Sequence, residues 1–442
     1  MRATEQTGNI SLSRLREVIG SNSMVADEQA INALVENIGD ARYVLLGEAS
    51  HGTHEYYTWR TRITKKLIEE KGFSFVAVEG DWPDCYRVNR YVKNYPDAGT
   101  SAKEVFQSYN RWPTWMWANW ETIALAEWMK NRNEGRAFNQ KAGFYGLDVY
   151  SLWESFDAII TYLEKKDPKT AHTAKKAWQC FEPFGDTEGQ GYARATLMVP
   201  QLCEGEVIDL LTQVRKNMTT YNTDPEAVLS AEQNAQVIVN AQQYYRAMVR
   251  PGPQSWNLRD HHMVNTLERL MQFYGPKSRT VVWEHNTHIG DARATDMARD
   301  KMVNVGQLLN ERHAKDGVYA VGFGSWQGTV IAAEEWGAEM QEIEVPEARA
   351  GSWEDILHKM DAKDRVVFMN KSLQDEIGKI NIAHRAIGVV YDPQSEMFGN
   401  YVPSKIPHRY NAFIFIDQTS ALHPLHLRPD GHQIPETYPF GV

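Results

Sequence analysis

What most constrains this chain is a set of short runs that are apolar throughout instead of alternating. They are Tyr43-Val44-Leu45-Leu46, Phe75-Val76-Ala77-Val78, Phe144-Tyr145-Gly146-Leu147, Thr280-Val281-Val282-Trp283 and Val318-Tyr319-Ala320-Val321. A strand that is apolar on both faces needs cover on both, which parallel sheets receive from their crossover helices. Between the first two runs, His54 to Glu70 carries Tyr57, Ile63, Leu67 and Ile68 near helical spacing and stops before Gly72. Strand, helix, strand predicts a right-handed βαβ unit. From about Ser151 to Tyr274 the chain reads as helix, with long segments such as Pro225 to Met248 and a capped start at Asn257. Strands return at Arg365-Val366-Val367-Phe368-Met369 and Ala412-Phe413-Ile414-Phe415-Ile416. The expected fold is α/β, a mostly parallel central sheet flanked by helices with a large helical insertion. We read residues 30–442 as one discontinuous catalytic domain, with an α/β core at about 30–150 and 278–442 and a helical lobe at about 151–277.

Composition then removes whole classes of function. With 42% hydrophobic and 24% charged residues the chain is globular in type, and 47 basic against 57 acidic residues give a net charge of -10. Without a Lys/Arg-rich block, neither nucleic acid nor an anionic membrane is an expected partner. No run approaches the roughly 18 apolar residues of a membrane span, and Met1-Arg2-Ala3-Thr4-Glu5-Gln6 does not lead into an apolar signal region, so a cytoplasmic location is expected. Cys85, Cys180 and Cys203 are odd in number, far apart and without Cys-x-x-Cys spacing; they read as reduced packing residues.

Open α/β sheets place their binding crevices beyond the carboxyl ends of strands. Three strand ends carry chemistry: Glu48 and His51 after the first run, Glu79 and Asp81 after the second, and Glu284, His285 and His288 after the fourth. Converging imidazoles and carboxylates suffice for hydrolysis, because a neutral imidazole takes a proton from water while a carboxylate on its other nitrogen fixes the tautomer. His51 is the candidate base and Glu48, three residues earlier, its orienting carboxylate. Gly47 allows the turn off the strand, and Arg60 on the next helix offers a positive fork to a carbonyl or oxyanion. His54 and Glu55 have structural and supporting readings alike.

Three other readings belong beside this one. His51-Gly52-Thr53-His54 and His285-Asn286-Thr287-His288 share His-x-x-His spacing, which with Glu48 or Glu79 suits a metal-dependent hydrolase using the same cluster, although no His-Glu-x-x-His occurs. Ser50 misses the Gly-x-Ser-x-Gly elbow by one residue and reads as a turn or N-cap residue instead of a nucleophile. Trp117, Trp120, Ala124 and Trp128 follow helical spacing, whereas Trp112 and Trp115 precede that helix and are candidates to wall a substrate crevice, or to bind a ligand without turnover.

The set Leu46-Gly47-Glu48-Ala49-Ser50-His51-Gly52, Arg60, Glu79-Gly80-Asp81-Trp82, Asn257-x-Arg259-Asp260 and His285-Asn286-x-His288 resembles the erythromycin esterase family, with the motifs in matching order over most of the chain. The resemblance implies an α/β core with helical insertions and hydrolysis of a carboxylic ester or lactone, macrolides included, by water attack without cofactor or metal. It implies His51 as general base with Glu48 beside it, Glu79, Arg60 and His285 as further active-site positions, and His288 in the same motif as a substrate contact. Arg259 and Asp260 match a family motif without an assigned chemical role.

Overall fold

The structure, a computed structural model, describes residues 11–187, 189–221 and 224–426. Met1 to Gln6 and the end of the expected domain at 427–442 lie outside the described residues. In chain order the strands are β1 (Ser23–Val25), β2 (Tyr43–Leu46), β3 (Phe75–Asp81), β4 (Gly143–Asp148), β5 (Thr280–Trp283), β6 (Val318–Ala332), β7 (Gln341–Val345), β8 (Arg365–Phe368), β9 (Ile382–Arg385), β10 (Tyr401–Ser404) and β11 (Ala412–Thr419). The main sheet runs β1-β8-β11-β6-β2-β5-β3-β4, with β7 paired to β6 off that path. β2 lies parallel between β5 and β6, and β11 is parallel to β6. β8 is antiparallel to both β11 and β1, and β7 to β6. The fold is therefore α/β with a mostly parallel, mixed sheet and many helices. Each of the apolar runs is a strand of it, though β3 extends through Glu79 to Asp81 and β6 far beyond Val321.

Two compact units divide the chain. One comprises the described residues of Met1–Ala77, Arg90–Gly143 and Tyr274–Val442; the other comprises Val78–Asn89 and Phe144–Phe273. In the first, β2 and β5 are buried along their whole lengths. The helix His54–Glu70 buries Tyr57, Ile63, Leu67 and Ile68 as its spacing predicts, and Trp283 Nε1 on β5 donates to Thr64 Oγ1 on that helix at 3.0 Å. Asn119 caps the helix Trp120–Asn133 by accepting from Thr122 N, so Trp117 precedes the helix instead of belonging to it. Trp115 is fully buried, and Trp112 packs edge-on to it while donating through Nε1 to Ala338 O at 3.0 Å. A side chain without exposed surface serves as packing, so Trp115 is no crevice wall here.

In the second unit, helices Leu152–Lys166, Pro168–Phe181, Glu204–Asn217 and Pro225–Met248 enclose Phe156, Ile159, Leu163, Phe181, Leu210 and Ile238. Two of them start on an Asp-Pro signal: Asp167 and Asp224 accept from backbone amides of the first turn, and the proline occupies a position whose N–H needs no partner. The helix expected to begin at Asn257 begins at Gln254. The cysteine reading needs correction as well. Cys180 and Cys203 form a disulfide with their Cα atoms 5.8 Å apart, and the buried Cys85 takes no part in it.

Candidate active site

The sheet order makes β2 and β5 direct neighbours in parallel register, with Leu46 opposite Trp283. Both strands release their chains at the same edge, which delivers Glu48 and His51 from one and His285 and Asn286 from the other. Asn286 stitches the two exits together: its N–H donates to Glu48 O at 2.8 Å, its Nδ2 donates to Phe323 O at 2.6 Å, and its Oδ1 accepts from Phe323 N at 3.2 Å. Gly47 answers to this asparagine, since a Cβ at that position would lie 2.1 Å from Asn286 Oδ1. Close approach, and not turn geometry alone, excludes a side chain there.

Within the loop, Glu48 Oε1 lies 3.0 Å from His51 Nδ1 and Glu48 Oε2 accepts from Arg60 Nη2 at 2.6 Å. Glu48 and Arg60 are fully buried, while His51 retains a little exposure. The Arg60 guanidinium is 4.3 Å from the Tyr57 ring centroid and 4.7 Å from that of Trp283. Arg60 was expected to meet a carbonyl or oxyanion; with no exposed surface it instead neutralises and aims Glu48. The Tyr57 hydroxyl lies 2.8 Å from Met116 O and 3.2 Å from His51 O, fixing the loop from below. Ser50 bonds Thr53 through their hydroxyls and forms a bridge to Ile387, while Thr53 occupies the N-cap position, so the serine is a loop brace.

The two imidazoles stand 5.0 Å apart between centroids and carry opposite assignments. At His51 the carboxylate of Glu48 makes Nδ1 the donor, leaving Nε2 as the basic nitrogen. At His285 the backbone N–H of Thr287 donates to Nδ1 at 3.3 Å, which makes Nδ1 an acceptor and puts the proton of the neutral ring on Nε2. The Thr287 hydroxyl lies 2.8 Å from the same Nδ1. One ring is built to take a proton and the other to donate a hydrogen bond. His288 lies within the short helix Asn286–Ile289 and is buried.

Glu79 and Asp81 belong to the second unit, where a cluster of their own forms. Arg259 Nη2 donates to Glu79 Oε1 and to Asp148 Oδ2 at 2.6 Å each, and its Nε donates to Asp148 Oδ1 at 2.9 Å. Burial pushes Asp148 up, but Arg259 reverses this and holds it below the usual carboxylate range. This gives Arg259 a role the motif alone did not supply. Asp148 escaped the sequence reading although it follows Leu147 directly, at the end of a fourth strand obeying the same strand-end rule. Also missed was the buried pair behind Asn286 in the first unit. Glu354 Oε1 lies 2.6 Å from His384 Nδ1, and His384 Nε2 lies 3.3 Å from Asn286 Nδ2.

A family model described as erythromycin esterase matches residues 68–419. A putative hydrolase, YbfO, of Bacillus subtilis is 21% identical over 324 residues, covering 69% of this chain and 70% of that protein. Erythromycin esterase type II of Escherichia coli is 20% identical over 369 residues, covering 76% and 83%. A solved structure of a succinoglycan biosynthesis protein superposes with a TM-score of 0.76 at 20% identity over 94% of this chain and all of that one. A mutant of the erythromycin esterase EreC in its open conformation gives 0.66 at 14% identity over 89% and 94%. At these identities the structural likeness speaks to fold alone. The family match begins beyond Arg60, so the roles of Glu48, His51 and Arg60 rest on geometry.

Proposed function

The chain belongs to the erythromycin esterase family, whose name and relatives indicate a hydrolase, and from that premise we propose that it cleaves a carboxylic ester or lactone by direct attack of a water activated by His51. The observation that carries the proposal is a pair of histidine rings 5.0 Å apart, one with Nδ1 against the Glu48 carboxylate and the other with Nδ1 facing the Thr287 N–H. His51 Nε2 removes a proton from water as the oxygen attacks the carbonyl carbon, and Glu48 stabilises the resulting imidazolium through Nδ1–H. The tetrahedral oxyanion is met by the His285 Nε2–H. Collapse breaks the acyl C–O bond, and His51 returns its proton to the departing alkoxide. Arg60 is a positioning residue that holds Glu48. Glu79 is proposed as a further residue required for turnover, and His288 as a substrate contact.

The substrate class is a small-molecule ester, with macrocyclic lactones tested because of the relatives' name. The experiment is a panel of simple esters and macrolide lactones given to wild type, His51→Ala and Glu79→Gln, each with and without chelator. Removing the base is expected to lower kcat at least about a hundredfold. His51→Ala turning over at the wild-type rate would sink the reading, and loss of wild-type turnover on chelation would favour a metal-dependent route through the same cluster.

A further inference from the structure

The second histidine of His51-Gly52-Thr53-His54 does not join the first. His54, the opening residue of the helix His54–Glu70, turns to Glu121 in the first turn of the helix Trp120–Asn133, with Nδ1 2.7 Å from Glu121 Oε1. His423, in the segment after β11, places its Nδ1 2.6 Å from the same oxygen. The two imidazoles meet edge to face at 5.4 Å, and the three ligand atoms lie within 4.8 Å of one another. All three residues belong to the first unit, and the group they form does not include His51.

Ordinary ion pairing leaves part of this arrangement unexplained. The Glu121 side chain is fully buried, yet its Oε2 has no hydrogen-bond partner among the described residues. A buried carboxylate oxygen without a donor costs about 1–3 kcal/mol. The side chain of His423 is 43% exposed, so the cluster opens to solvent on one side. We propose that His54, Glu121 and His423 form a binding site for a divalent transition ion of the zinc class, with three protein ligands and one position left to water. This goes beyond the hydrolase reading and does not depend on it.

The chemistry fits the donors. Two imidazole nitrogens and a carboxylate are a recurring zinc set, with Zn–N and Zn–O distances of about 2.0–2.2 Å, which places tetrahedral ligand atoms roughly 3.3 Å apart. On binding, each neutral ring shifts its proton from Nδ1 to Nε2, so the nitrogens that now donate to Glu121 become the ligating lone pairs. The ion replaces two hydrogen bonds on one oxygen, and small rotations of the carboxylate bring either oxygen to it. Such an ion would join the starts of two helices to the chain after β11, immediately beside the Gly47–Thr53 loop. Its effect would be on the stability of that junction instead of on the bond-breaking step.

The test uses the full chain, stripped with chelator, exposed to zinc ion without thiol reductant and freed of excess metal before elemental analysis. The expected result is about one zinc per chain in wild type and in a His51→Ala/His285→Ala double variant, and almost none in His54→Ala or His423→Ala. Far-UV circular dichroism confirms that each variant is folded; His423→Ala, at a half-exposed position, is the safer of the two. Zinc in excess should also raise the melting temperature of wild type by several degrees and leave that of His423→Ala unchanged. Wild type that retains no zinc overturns the proposal. So does zinc retained by both single variants, or zinc lost only in the His51/His285 double variant.

Discussion

At the scale of single residues, the site depends on groups that never meet solvent. Arg60→Met would leave Glu48 charged and buried without its partner, which is expected to cost about 3–5 kcal/mol of stability. Because Arg60 has no exposed surface, kcat should fall while KM stays near wild type. An effect confined to KM would place Arg60 on the substrate. Gly47→Ala is the complementary test, since its methyl would collide with Asn286 Oδ1 and push apart the two strand exits. Loss of both thermal stability and kcat is expected, and a crystal structure showing Asn286 undisturbed would contradict it. Glu48 and His51 were legible in the sequence because their pairing is local, three residues along one turn. Arg60 was found but given the wrong task, because spacing reveals reach and not exposure. Asn286 was overlooked as an anchor because its work is done on backbone groups of residues distant in sequence, Glu48 and Phe323.

At the scale of elements, the apolar runs were readable because strands are local devices, whereas the cap expected at Asn257 gave way to a helix that begins at Gln254. The disulfide was not readable, since pairing across 23 residues depends on how the intervening chain folds back. Reduction, or Cys203→Ser, is expected to destabilise the helical unit by about 3 kcal/mol, the entropic scale for a loop of that size, read as a lower urea midpoint. A second device there is His262 on the helix Gln254–Tyr274. It is fully buried, lies 2.7 Å from Asn240 Nδ2, and is held down to about 4 by burial, against the opposing charge of Asp148. The folded state thus refuses a proton that the unfolded chain accepts below about 6.5. Its contribution to stability is complete above that value and is lost progressively as pH falls from about 6.5 toward 4. Amide exchange in the helix Pro225–Met248 should quicken between pH 7 and pH 5, beyond the intrinsic change, by an amount bounded at about 3 kcal/mol. His262→Gln should flatten that dependence, and an unchanged slope in the variant would assign it elsewhere.

At the scale of the whole chain, the first unit is assembled from segments separated by hundreds of residues, and its closure lies where no sequence pattern announced it. After β11 the chain returns to the loop that carries His51. His54 N donates to Ser420 O at 2.9 Å, Leu422 N to Gly52 O at 3.0 Å, Trp120 N to His423 O at 3.1 Å and Leu425 N to Ala118 O at 2.9 Å. Glu55 adds two more, accepting from Ser420 N at 2.9 Å and from Ser420 Oγ at 2.7 Å. Glu55 is therefore a structural clamp, one of the two roles its position allowed. With each such bond worth about 1 kcal/mol net, the strap holds the loop with several kcal/mol, although no residue of it enters the proposed chemistry. Ending the chain after Thr419 removes all of these bonds at once and leaves β11 intact, so the sheet should persist while the loop from Gly47 to Thr53 loosens. The expected outcome is near-native far-UV circular dichroism, a lower melting temperature and reduced kcat. Glu55→Ala in the full chain isolates the clamp, with a smaller loss of both quantities in the same direction. Wild-type melting and turnover in the truncated chain would show that β2 and β5 hold the loop unaided.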